Sequence, residues 1–76
     1  MILCGIQEIT SKKTNQKFMR LHFIERLDTD DAKGSITSQE FVPYDTSLWG
    51  LIDSEVKVYY RKSYNGSAVV DAVVPV

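Results

Sequence analysis

Apolar residues recur at every second position through most of this chain, with polar clusters between the runs. A period of two predicts strands with one face turned inward. The first run is Ile2–Thr10, in which Ile2, Cys4 and Ile6 alternate against Leu3 and Gly5. A glycine in mid-strand predicts a bulge or a sharp bend, and a cysteine at this place is expected to be half-buried or core. Ser11–Gln16 is polar and reads as a loop. The second strand is Lys17–Leu27. Met19, Leu21 and Phe23 form its wholly apolar face, and Phe18, Arg20, His22 and Ile24 form the other.

Asp28–Gly34 (DTDDAKG) predicts a turn-rich loop. The third strand is Ser35–Tyr44, with Phe41 or Val42 packing near its end and Pro43 closing it. Asp45–Ile52 (DTSLWGLI) breaks the alternation. Asp45 or Thr46 caps a helical turn there, and Trp49 is expected to plug one end of the core.

The last two strands, Glu55–Tyr64 and Ser67–Val76, flank Asn65-Gly66. That dipeptide predicts a two-residue type I′ turn, because both residues tolerate positive φ. The turn would set Tyr64 opposite Ser67, Lys62 opposite Val69, Tyr60 opposite Asp71 and Val58 opposite Val73. One hairpin face carries Val56, Val58, Tyr60, Val69 and Val73. The other carries Lys57, Tyr59, Arg61, Val70, Ala72 and Val74. Either could face inward if a bulge shifts register; the first lacks a central base and is the expected core face.

The predicted order is three strands, a short helix and two strands, in one domain spanning residues 1–76. So small an antiparallel assembly must curl, cover its apolar face or pair with another chain. The element order resembles the oligonucleotide-binding (OB) fold, an all-β, five-stranded antiparallel barrel with a short helix between strands three and four. More loosely the chain resembles the small single-stranded-DNA-binding proteins of phages and mobile elements. An SH3-like barrel shares much of the pattern. The resemblance implies a binding surface on strands two and three and on the loops joining strands one to two and four to five. Those loops would be Ser11–Lys17 and Tyr64–Ser67.

Composition narrows the chemistry. The chain has 76 residues, 43% of them hydrophobic, which favours a folded globule over a disordered tail. A single cysteine excludes an internal disulfide framework, and one histidine leaves no cysteine–histidine zinc site. Asp28, Asp30 and Asp31 begin like a calcium loop, but Gln39 stands where the closing glutamate belongs. No metal and no cofactor are expected. Neither a signal peptide nor a run of roughly 18 apolar residues is visible, so a cytoplasmic protein without a membrane partner is expected. Asn65-Gly66-Ser67 fits the glycosylation sequon, but the turn reading is preferred. No nucleophile–histidine–acid pattern and no phosphate-cradling glycine loop exists, and no enzymatic activity is expected.

What remains is a binding surface. Net charge is −1 overall but +3 over residues 1–27, −6 over 28–56 and +2 over 57–76. Single-stranded nucleic acid is held by cations tracking phosphates and by aromatic faces that stack on bases. Lys12, Lys13, Lys17, Arg20, Lys57 and Arg61 are the expected phosphate contacts. Phe18, Tyr59 and Tyr64 are the expected stacking rings. The expected partner is single-stranded nucleic acid, DNA before RNA. The rival reading is a protein–protein module or small subunit of a larger assembly, and a homodimer is a further source of burial.

Overall fold

A computed structural model describes residues 1–76. The chain is all-β, with five antiparallel strands in two sheets. Strands β1 (Ile2–Thr10), β2 (Lys17–Thr29) and β3 (Ala32–Pro43) form one sheet in that order. A 3₁₀ turn (Thr46–Leu51) leads to β4 (Val56–Lys62) and β5 (Ala68–Pro75), which form the other.

The predicted irregularity in β1 is there, as a bulge between Leu3 and Gly5. It changes which residues face inward. The extra residue, Cys4, shifts the phase of the alternation, so Leu3 and Ile6 point to the same side. Leu3 is fully buried and Ile6 packs on the core, while Ile2 and Cys4 are exposed. The expected face of Ile2, Cys4 and Ile6, and the expected burial of Cys4, are both corrected by this one inserted residue.

On β2 the apolar face is the one expected: Met19, Leu21 and Phe23 are buried. Across the ladder Val42 lies opposite Met19 and is buried, whereas Phe41 lies opposite Arg20 and is exposed. The expected loop Asp28–Gly34 contracts to a two-residue turn, Asp30-Asp31, with Thr29 paired to Ala32. Asp28 and Lys33 face each other and form an ion pair at 3.0 Å. A two-stranded ribbon wet on both sides has no apolar alternation, so it reads as loop from polarity alone.

The 3₁₀ turn is capped as expected, with the Asp45 carboxylate accepting from Ser47 N at 3.0 Å and from Ser47 Oγ at 2.7 Å. Leu48, not Trp49, is the plug. Three residues per turn place Leu48 and Leu51 on one side, where both meet the core, and swing Trp49 to 39% exposure.

The β4–β5 turn differs from the predicted one. Only Gly66 has positive φ (+89°); Asn65 does not. Gly66 N donates to Ser63 O and Ser63 N donates to Ser67 O, closing a three-residue loop with glycine at its left-handed position. Asn65 Oδ1 accepts from Ser67 N and from Ser63 Oγ, which holds the loop in this form. The longer loop slips the register by one: Lys62 faces Ala68, Arg61 faces Val69 and Tyr60 faces Val70. A bulge opposite the Tyr59/Tyr60 step absorbs the slip at Asp71, and Val58 meets Val73 as predicted. In consequence Val70, and not Val69, joins Val56, Val58 and Val73 against the core.

Seven residues form that core: Leu3, Met19, Leu21, Phe23, Val42, Leu48 and Val56. The two sheets are joined at the start of β1. Ile2 bridges to Glu55, Leu3 N donates to Ser54 O, and Asp53 N donates to Leu3 O at 2.7 Å. No ladder joins β3 to β5, and the strands do not close into a barrel. A side-chain hydrogen bond from β4 to β3 also ties the sheets: the Tyr60 hydroxyl donates to Glu40 Oε1 at 3.0 Å.

Burial first, then the Glu40 hydrogen bond and the Glu40 charge, raise the Tyr60 pKa above its ordinary 10.0. A raised folded-state pKa means that the stabilisation is complete below the unfolded value. It is lost as pH rises through the folded one. We expect the urea midpoint to drop in alkali above about pH 10, and Tyr60→Phe to make that drop smaller. Urea melts of both proteins across this range check it.

Candidate nucleic-acid interface

The outward face of the three-stranded sheet is set by the same alternation that builds the core. Residues opposite Met19, Leu21 and Phe23 in phase point away from the second sheet. The β2–β3 register therefore brings Phe18 beside Pro43 and Arg20 beside Phe41. The Phe18 and Phe41 rings are 5.8 Å apart and tilted by 57°. The Arg20 guanidinium lies 5.2 Å from the Phe41 ring centre, a cation–π distance. Its Nη1 donates to Gln7 Oε1 at 3.3 Å, and the same oxygen lies 2.8 Å from His22 Nε2. Arg20 Nε is shielded from solvent and has no hydrogen-bond partner.

At the start of β2, in phase with Met19 and so across the strand from Phe18, Lys17 Nζ sits 5.5 Å from the Tyr44 ring and pairs with Glu8 at 3.0 Å. The Glu8 hydrogen bond is the main cause that raises the Lys17 pKa; the Glu8 charge follows. Lys17 is thus a cation through the whole physiological range. The adjoining loop turns on Asn15 (φ +57°), with Asn15 N donating to Ser11 O and Ser11 N to Gln16 O, both at 2.9 Å. It holds Lys12 and Lys13 exposed, and no carboxylate pairs with Lys12, Lys13 or Arg20.

Two clefts flank the Phe41–Pro43 segment. One, of about 360 Å³, runs between the Ser11–Lys17 loop, Phe18 and Phe41. The other, of about 380 Å³, is bounded by Phe41, Arg61, Tyr64 and Val69. A third, of about 470 Å³, opens between Tyr44, Leu48, Arg61 and Val73, in the gap between β3 and β5. Phe41 thus joins Lys17 and Phe18 on one side to Arg61 and Tyr64 on the other. Arg61 also reaches Asp71, at 3.5 Å.

Lys12, Lys13, Lys17, Phe18, Arg20, Arg61 and Tyr64 therefore fall on or around one surface. Lys57 and Tyr59 do not. They alternate with the inward-facing Val56 and Val58, so they lie on the outer side of the hairpin, with Lys57 Nζ 5.2 Å from the Tyr59 ring. Neither lines any of the three clefts. Sequence reasoning did not assign Phe41, Tyr44 and Gln7 to the surface. The signal that could have found Phe41 is the Asp30-Asp31 turn. Counting back from a two-residue turn there puts Phe41 opposite Arg20.

No three His, Cys, Asp or Glu side chains converge as a metal-binding group. No helix is long and apolar enough to cross a membrane. No protein-family profile, curated protein or solved structure matches this chain.

Proposed function

We propose that this protein binds single-stranded nucleic acid, DNA before RNA, without enzymatic activity and with little sequence preference. The observation that carries the reading is the Phe18–Phe41 pair with Arg20 stacked on it. Lys17 lines the cleft beside it, and the unpaired Lys12 and Lys13 lie in the adjoining loop. Exposed rings are platforms for bases, and cations spaced along the same face neutralise the phosphates between them. Phe18, Phe41 and Tyr64 stack on bases; Lys12, Lys13, Lys17, Arg20 and Arg61 contact phosphates.

We further propose that the two sheets are the halves of an OB-like barrel of cytoplasmic, phage or mobile-element type. The bulged β1 that meets both sheets supports this, as does the helical turn between β3 and β4. The gap between β3 and β5 is then the barrel's open side.

The test is a titration of fluorescent oligo-dT at several salt concentrations. With these five cations on phosphates, raising salt from about 50 to about 200 mM weakens binding about a hundredfold, because each phosphate contact releases condensed counterions. No saturable binding at low salt and tens-of-micromolar protein, roughly the weak end for such contacts, would sink the reading.

A further inference from the structure

The β2–β3 hairpin outruns the rest of the molecule. Pairing with β1 stops at Ile2↔Ile24, so Glu25–Thr29 and the β3 residues facing them have only each other as sheet neighbours. The molecule is 46 Å long and its Cα radius of gyration is 14.0 Å. A compact chain of this length would have about 11 Å. A two-stranded ribbon standing alone in water is marginal, and a further strand stabilises it.

The free edges of this structure are not alike. Beyond β1, the edge of β2 reads Glu25-Arg26-Leu27-Asp28, three charges in four residues. The edge of β5 is bent by the bulge at Asp71 and ended by Pro75. Charge, bulge and proline are the devices that keep an edge from pairing. The edge of β3 from Gly34 to Gln39 (GSITSQ) has none of them. Its register with β2 is unbroken from Phe18↔Pro43 to Thr29↔Ala32, and Ile36 at its centre is 49% exposed.

We propose that this edge pairs antiparallel with β3 of a second copy of the chain, about a two-fold axis at Ile36. Two three-stranded sheets become one of six. The edge complements itself in that register. Ser35 meets the partner's Thr37, Gly34 the partner's Ser38 and Lys33 the partner's Gln39, so no like charges oppose. Past the paired stretch, the acidic turn brings Asp31 beside the partner's Phe41, on which the partner's Arg20 stacks. An acidic tip then borders a cationic end twice over, and this charge complementarity selects a second copy over an unrelated strand. A two-fold axis normal to the sheet keeps both aromatic–cationic faces on one side. If the nucleic-acid reading also holds, they form one continuous platform, but the pairing itself does not rest on that reading.

Sedimentation equilibrium and directed cross-linking test it without any nucleic acid. The wild type is expected to sediment as a dimer, and Ile36→Lys, which opposes two ammonium groups at the axis, to weaken it about tenfold or more. Its far-UV circular dichroism should be unchanged. In a Cys4→Ser background, Ile36→Cys places two Cβ atoms about 5 Å apart across the axis, and mild oxidation should link the dimer covalently. Val74→Cys, on the exposed part of β5, should not link. A wild-type monomer at about 100 µM, a dimer indifferent to Ile36→Lys, or linking at Val74 and not at Ile36 would each overturn the proposal. Should Ile36→Lys unfold the chain, the cross-linking decides.

Discussion

Phe23→Ala is expected to leave the protein unfolded at 25 °C, with strand circular dichroism lost and no cooperative urea transition. Phe23 is 1% exposed and is the largest of the four side chains that are almost wholly buried. It lies opposite Leu3 on β1, at the place where the first strand is also bonded to the segment leading into β4. Truncating a phenylalanine at such a site costs about 3–5 kcal/mol, the lost transfer energy plus the cavity left behind. A core this small rarely supplies more than about 3–5 kcal/mol in total. Seven residues make up this one, so the loss is comparable to everything there is to lose. Leu21→Ala, on the same face of β2, should behave similarly. A Phe23→Ala protein that melts cooperatively within a few degrees of the wild type would mean that the core has been misplaced. Protein concentration must be held constant in the comparison, since a dimer's apparent stability depends on it.

The fate of the neighbouring aromatic is the contrast that makes this informative. Phe41 is 57% exposed, so its removal leaves no cavity, and the fold should survive Phe41→Ala. Two phenylalanines on adjacent strands thus divide cleanly, one to stability and one to the surface. Their parity on the strand decides which. That parity was open to sequence reasoning on β2, where Met19, Leu21 and Phe23 are uniformly apolar and leave no choice of face. It was not open on β3, where Phe41 and Val42 are both apolar neighbours and only register separates them. Register in turn depends on turn length, and two of the three hairpin turns, β2–β3 and β4–β5, differ from the expected ones by a residue or more. Asp28–Gly34 looked like loop because a ribbon exposed on both faces carries no hydrophobic signal. Asn65-Gly66 suited a two-residue turn equally well on dihedral preference. The choice went to the longer loop through the Asn65 side chain accepting from Ser67 N, an Asx turn that competes with the two-residue form.

The same physics explains which site residues converge. Phe18 and Arg20 were legible as one face of β2, and the loop lysines as their neighbours in sequence. Lys57 and Tyr59 were grouped with them by chemistry alone. Their strand belongs to the other sheet, and the alternation that buries Val56 and Val58 turns them outward on the far side of the hairpin. Charge segregation along the chain was a weak guide for a similar reason. Glu8 and Asp71, from the basic segments, each take up one of the cations, while Lys12, Lys13 and Arg20 stay unpaired.

That division yields the sharpest expectation for binding. Phe41→Ala should weaken oligo-dT binding about 5- to 150-fold, since a base stacked on an aromatic ring is worth roughly 1–3 kcal/mol. The upper part of that range applies because Phe41 borders both the Lys17–Phe18 cleft and the Arg61–Tyr64 cleft, so losing it separates the two halves of the path. It also removes the surface on which the Arg20 guanidinium rests, at 5.2 Å. Arg20→Ala should act differently: it removes a phosphate contact, so the slope of log affinity against log salt should become shallower by about 0.7. Phe41→Ala should lower affinity at every salt concentration and leave that slope nearly unchanged. Tyr59→Ala should change neither quantity, because its ring lies with Lys57 on the other side of β4. Fluorescence anisotropy at four salt concentrations separates the three variants. If Tyr59→Ala weakens binding as much as Phe41→Ala does, the strand runs over the outer side of the β4–β5 hairpin instead. If none of the three alters binding, the aromatic–cationic face is not a nucleic-acid surface.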